Sequence, residues 1–258
     1  MTERSQPPAG VMCTQASYVK MLDFGYYNMD CMEGMKEFPD KYFDLAIVDP
    51  VYGDVKVGGY MNGKTKGGVG PHPKYNYSIW NQKKTDQAYF DELFRVSKNQ
   101  IIWGGNYFTK EIGRNSPCWI VWDKCNGNTN WADCELAWTS FNSAVRLFRF
   151  MWNGMLQGKS IEHGDIMQGN KALNEKRIHP TQKPVPLYEW ILGKYAKPGD
   201  IILDTHVWSA SSLIACHKAG YEYVGFELDK DYYSASKKRL DAEKAQLSLF
   251  DLGMERTI

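Results

Sequence analysis

DIILDTHVWSASSLIACHKAGYEYVGFELD, residues 200–229, decides the fold. Ile201–Leu203 is a short run of β-formers, small and polar residues after it make a tight turn, and Ser211–Ala219 reads as a helix stopped by Gly220. Tyr223–Phe226 is a second strand, with Glu227 at its end. Strand, turn, helix and strand form a βαβ unit, the connection that parallel strands require. A loop of small residues lets a ligand approach the backbone, and an acid at the next strand's tip accepts hydrogen bonds from a ribose diol. The unit therefore suits a nucleoside-type ligand, although a βαβ with a terminal Glu is too common to define a function.

Outward from this unit the same alternation continues. Strand signals recur at Asp44–Val48, Gln100–Trp103, Cys118–Trp122 and Glu135–Thr139. Asp86–Ser97 places Phe90, Leu93, Phe94 and Ser97 on one helical face, Pro184–Tyr195 opens with proline and stops before the PGD turn at 198–200, and Asp231 starts a long amphipathic helix toward Phe250. The expected class is α/β with a mostly parallel sheet. The interval 125–178, with Asn126–Asn130 and glycines at 154, 158, 164 and 169, is the least regular and is expected to extend from the sheet.

At 258 residues and 43% hydrophobic, the chain suits one sizeable domain. We expect a flexible N-terminus over 1–17, a single domain over 18–250 and a tail over 251–258. No apolar run reaches the length of a membrane span and the N-terminus lacks a signal-peptide centre, so a cytoplasmic protein with no membrane partner is expected. The six cysteines form no CxxC pair and no ligand spacing, so free thiols and no metal are expected.

VDPVYG, residues 48–53, follows the apolar run LAI. Proline and glycine end the strand, so Asp49 and Tyr52 emerge together at its carboxyl end, where open α/β sheets bind ligands. By itself the stretch also reads as a turn whose Asp caps a loop and whose Tyr lies on the core. The segment after it, 55–84, carries Lys56, Lys64, Lys66, Lys74, Lys83 and Lys84 without an acid, interleaved with Tyr60, Tyr75, Tyr77 and Trp80. Lysines for phosphates beside rings for bases suit a nucleic acid, and a solvated loop is the alternative. RIHPTQKPVPLYEWIL, residues 177–192, is a compact polar loop leading into a helix amino terminus that can meet a charged ligand end.

VDPVYG, HPTQKP, ILDTHVWSAS and FELDKDYY, in that chain order, resemble the permuted (beta-type) N6-adenine DNA methyltransferases of phage and prophage type, over about 18–247. The resemblance implies a Rossmann-like S-adenosylmethionine-dependent methyltransferase fold with helices on both faces of the sheet. It implies site-specific methyl transfer from S-adenosylmethionine, or a modified analogue, to adenine N6 of a flipped base in double-stranded DNA. Asp49 and the Pro50 carbonyl would accept the two amine hydrogens and Tyr52 would stack on the base. Glu227 would hold the ribose, with Asp30 and Cys31 near the cofactor's adenine and His179, Thr181, Gln182 and Lys183 near its methionine end. Asp204, His206, Trp208, Ser209 and Ser211 would line the cofactor loop. The residues alone also read as a loop cap for Asp30, a core thiol for Cys31 and a packed turn histidine for His206. The basic segment near 54–85 and the 125–178 interval would contact DNA.

The chain departs from that family at two positions in these loops. Val51 stands where a second proline is usual, and Trp208 where a small residue, normally glycine, lets the backbone approach the cofactor; Ala210 often has glycine too. Trp208 is expected to turn inward and block the pocket, leaving transfer hindered or cofactor use altered. Cytosine N4 methylation and DNA binding without turnover are the alternatives.

Overall fold

The computed structural model describes residues 21–53, 84–125, 132–153, 156–157, 174–179 and 181–251, the side chains of 247–251 excepted. The elements, in chain order, are β1 (Gly25–Asn28), α1 (Cys31–Lys36), β2 (Phe43–Val48), α2 (Gln87–Val96) and β3 (Ser97–Trp103). A short α3 (Thr109–Ile112) precedes β4 (Trp119–Asp123), β5 (Cys134–Thr139), β6 (Arg146–Arg149), β7 (Trp152–Asn153) and β8 (Leu156–Gln157). Then come α4 (Val185–Tyr195), β9 (Ile201–Asp204), α5 (Ser211–Ala219), β10 (Glu222–Glu227) and α6 (Lys230–Asp251).

Eight strands form one sheet in the order β1-β10-β9-β2-β3-β5-β4-β6. Parallel pairing joins β1 to β10, β10 to β9, β9 to β2 and β2 to β3, and only β5 runs against its neighbours. Within β2, Leu45 and Ile47 face a cluster with Leu187, Ile191, Leu213, Ile214 and Leu240, from α4, α5 and α6. Ala46 and Val48 face Met35, Phe90, Leu93 and Phe94, from α1 and α2. A strand covered on both faces has no solvent side, which is why β2 reads as a continuous apolar run in place of an alternating one.

The expected strands and helices are present with ends shifted by up to three residues, most at the start of β3. Asp86 caps α2, its carboxylate accepting from the Tyr89 N–H at 3.4 Å, and Ser97, expected on that helix, instead opens β3. Six elements went unread: β1, α1, α3, β6, β7 and β8. Within 125–178, β6 joins the main sheet beside β4 and β7 pairs with β8 separately; 126–131, 154–155 and 158–173 lie outside the described residues. Among the described residues no helix is long and apolar enough to cross a membrane.

Candidate active site

The parallel register brings the carboxyl ends of β2, β3, β9, β10 and β1 to one edge of the sheet, and all of these but β3 carry a polar side chain there. Asp49 follows β2 directly and is 7% exposed. Its Oδ1 accepts from the Tyr52 hydroxyl and its Oδ2 lies 2.5 Å from the Lys183 ammonium. Lys183 arrives from the loop before α4 and is itself buried. Pro50 is buried, and the Val51 carbonyl accepts from the Thr85 N–H at 3.1 Å, which pins the loop to the start of α2. The Tyr52 ring packs on Tyr107 at 5.1 Å and Phe108 at 5.9 Å. Burial, then the Asp49 carboxylate, pushes the Tyr52 hydroxyl well above its ordinary range, so it remains a donor.

Gly104, just past β3, explains how Tyr52 lies so deep. It has φ +64°, and a Cβ there would meet the Tyr52 ring at 2.2 Å. Gly104→Ala is expected to displace that ring and lower stability by about 1–3 kcal/mol, measured by chemical denaturation; an unchanged midpoint would show that the ring has room to move.

At the other side of the edge, Glu227 ends β10 and is 4% exposed. Its Oε1 accepts from the Asp229 N–H and its Oε2 from the Trp208 N–H, each at 2.9 Å. Burial pushes its carboxyl up to about 7. Asn28 of β1 is the register partner of Glu227, which brings Asp30 to the neighbouring tip. There Asp30 caps α1, accepting from the Met32 N–H at 2.7 Å. The Cys31 thiol is pushed up to about 12 by burial and by Asp30, so it is a protonated thiol at neutral pH.

Trp208 lies between these two halves. Its indole N–H donates to the Asp49 carbonyl at 3.0 Å and its ring rests on His179 at 4.8 Å, so the ring is turned inward. The backbone at Trp208 has φ +51° and at Ala210 φ +61°, the left-handed region that glycine adopts without cost.

The remaining residues divide into two groups. His179, wholly buried, is held between Trp208 and Tyr232, and burial and then Lys183 pull its imidazole down to about 3. Thr181 is exposed, its hydroxyl 3.0 Å from His179 Nδ1. His206 also stacks on Trp208, at 6.1 Å, and is pulled down to about 4 by burial, so both histidines are neutral at pH 7. Asp204 accepts from Ser212 and from the His206 N–H, and burial pushes it up to about 7. Gln182, Ser209 and Ser211, by contrast, serve the scaffold. Gln182 bonds Ile178, Glu175 and Lys176 within its own loop, while Arg239 of α6 donates to the Ser209 carbonyl and the Ser211 hydroxyl and pairs with Glu175. Of the basic segment, Lys56, Lys64, Lys66, Lys74 and Lys83 lie outside the described residues. Lys84 pairs with Glu111 at 2.7 Å.

Two residues near Asp49 escaped the sequence reading: Glu135, which reaches Lys183 from β5, and Tyr107, 41% exposed beside Tyr52.

A mostly parallel sheet whose strand tips gather Asp49, Asp204 and Glu227 is the Rossmann-like methyltransferase fold. Its likeness to the solved PvuII cytosine-N4-specific DNA methyltransferase has a TM-score of 0.50 at 13% identity, over 84% of this chain and 86% of that one. Residues 121–238 match the family model described as DNA methylase, of the N6/N4 type. The type II methyltransferase M.HpaI of Haemophilus parainfluenzae is 25% identical over 254 residues, 88% of this chain and 77% of its own. M.HinfI of Haemophilus influenzae is 25% identical over 240 residues, 82% of this chain and 66% of its own. These matches support a DNA methyltransferase of the N6/N4 class.

Proposed function

We propose that the chain is a permuted, phage-type enzyme that transfers the methyl group of S-adenosylmethionine to adenine N6 in double-stranded DNA, and that Trp208 restrains it. The observation that carries the reading is a buried carboxylate, Asp49, at a strand tip beside an aromatic ring and on the same edge as a buried acid, Glu227. Both Glu227 oxygens already accept a backbone N–H, yet each keeps a lone pair, so the acid fits a ribose diol. Glu227, Asp30 and Cys31, at the tips of β10 and β1, would hold the nucleoside half of the cofactor. The loop from His179 to Lys183 would meet its methionine end, which the Trp208 ring crowds.

When bound, the cofactor supplies a methyl group on a sulfonium and leaves as a neutral thioether, so no metal is needed. The amine at adenine N6 is a poor nucleophile because its lone pair is delocalised into the ring. Asp49 and the Pro50 carbonyl, accepting its two hydrogens, favour the pyramidal geometry in which that lone pair attacks. Lys183 holds one Asp49 oxygen in place, and one N6 proton leaves to solvent after the new bond forms. Tyr52 stacks on the base once it has left the duplex. His206 and His179 pack the loop and take no proton.

Incubation with unmethylated DNA and cofactor, read at base resolution, tests the reading in the parent and in Trp208→Gly. N6-methyladenine within one short sequence is the expected product. N4-methylcytosine would transfer the same chemistry to cytosine, and DNA binding without any methylation in both proteins would leave a binding module. The inward indole favours low turnover in the parent.

DNA affinity is expected to fall steeply with salt. Each of Lys56, Lys64, Lys66, Lys74, Lys83 and Lys84 that meets a phosphate lowers the slope of log affinity against log salt by about one when replaced. An unchanged slope after neutralising Lys64, Lys66, Lys83 and Lys84 together would move DNA contact to the 125–178 interval.

A further inference from the structure

We propose that Glu135 is a positioning residue that holds Lys183 charged and turned toward Asp49; the inference rests on the methyl-transfer reading of Asp49. Glu135 lies near the start of β5, which runs against β3 with Trp103 opposite Ala137. That direction delivers the first residues of β5 to the edge where the parallel strands end. Glu135 Oε2 is 3.2 Å from the Lys183 ammonium and its Oε1 is 2.5 Å from that of Lys124. The charges therefore alternate along one line: Lys124, Glu135, Lys183, Asp49.

The line matters because Lys183 is 3% exposed and sits 5.3 Å over the Trp103 ring, where water cannot share the load. An ammonium has three donors and loses its proton readily when buried without acceptors. Burial pulls Lys183 down, and Asp49 and Glu135 together more than reverse it. Glu135 in turn, raised by burial, is drawn down to about 2 by Lys183 and Lys124, so it is ionised near neutral pH. The other groups acting on Lys183 are Asp204 from the end of β9 and His179 from its own loop, with Tyr52 and Tyr188 beside the carboxylates. His179 and the tyrosines are neutral near pH 7, and Asp204, pushed up to about 7, is half-protonated there. Glu135 is therefore the second fixed negative charge facing Lys183. A charged Lys183 holds one Asp49 oxygen, which fixes the carboxylate with its remaining lone pairs directed to the amine.

Glu135→Gln keeps an acceptor in place and removes the charge, and Glu135→Asp keeps the charge. In the full chain, the ¹⁵Nζ resonance of Lys183, identified by its loss in Lys183→Arg, is followed against pH. Glu135→Gln is expected to lower its midpoint by about one unit or more, and Glu135→Asp to restore most of the shift. In a Trp208→Gly background, single-turnover transfer in Glu135→Gln is expected to fall about tenfold at neutral pH and further as pH rises and Lys183 loses its proton. An unchanged Lys183 midpoint, or a rate loss equal at every pH, overturns the proposal and leaves Glu135 a structural group. Should Glu135→Gln fail to fold, failure of Glu135→Asp to keep the parent's midpoint overturns it equally. Absence of transfer in every variant, with the midpoint still lowered by Glu135→Gln, removes the methyl-transfer reading and leaves the coupling of Glu135 to Lys183 standing.

Discussion

Asp49→Ala, made in a Trp208→Gly background, is expected to lower the single-turnover rate by about a hundred- to a thousandfold, or 3–4 kcal/mol in the barrier, by analogy with removing one preorganised group from an oxyanion site. Cofactor and DNA affinities should stay near the parent's, because the carboxylate acts on the amine as it changes geometry and contributes little to holding either ligand. The structure adds a condition. Asp49 is the nearer of two acids on a buried Lys183, so alanine leaves that ammonium with Glu135 alone. Breaking a buried pair from one side costs about 3–5 kcal/mol of stability, and a lost fold would imitate a lost catalyst. Asp49→Asn separates the two effects, since it keeps the shape and one acceptor oxygen while removing the charge. A folded Asp49→Asn protein, judged by its denaturation curve, should still lose most of its rate. Rates within tenfold of the parent in that variant would take Asp49 out of its role.

Which parts of this site were readable from the chain follows from how local their causes are. The βαβ unit at 200–229 was legible because its apolar runs, Gly220 and terminal Glu227 are all short-range signals. β2 was legible for the same reason. β1 and α1 were not: GYYN is four residues long and polar at its end, and α1 is six residues that gain their helix from the Asp30 cap and from packing on β10. β6, RLFR, lies at the sheet edge and half in solvent, so it carries no apolar run. Glu135 shows the limit most plainly. Its strand was expected, but whether that strand runs with or against β3 is set by tertiary pairing, and only the antiparallel direction brings the residue to Lys183. Gly104 carried a faint signal, a GG pair after a strand, whose meaning depends on the ring of Tyr52 pressing against it. The family resemblance, not the spacing, supplied the roles of Asp49, Pro50 and Tyr52 toward an adenine and the placing of Asp30 and Cys31, and it also drew attention to Trp208 as a departure.

Trp208→Gly is expected to tighten binding of S-adenosylmethionine by about thirty- to a thousandfold, or 2–4 kcal/mol, measured by calorimetry on the two proteins. Two contributions act in the same direction. The indole occupies the space between Glu227 and Asp49, so a ligand reaching Asp49 must first break the indole bond to the Asp49 carbonyl and the contact with His179. The backbone at residue 208 also sits at φ +51°, a conformation that costs a bulky residue about 1–2 kcal/mol and glycine nearly nothing. Relief of that strain is opposed by loss of the ring's hydrogen bond and of its contact with His179, so the denaturation midpoint is read separately from the affinity. Trp208→Phe divides the two contributions and the hydrogen bond between them. It keeps the strain and most of the bulk but cannot donate to Asp49, so an affinity near the parent's assigns the block to volume, and an affinity near the glycine variant's assigns it to the indole bond. Equal dissociation constants in the parent and in Trp208→Gly would show that the ring swings aside without cost, and the chain would then be an unrestrained enzyme of its class.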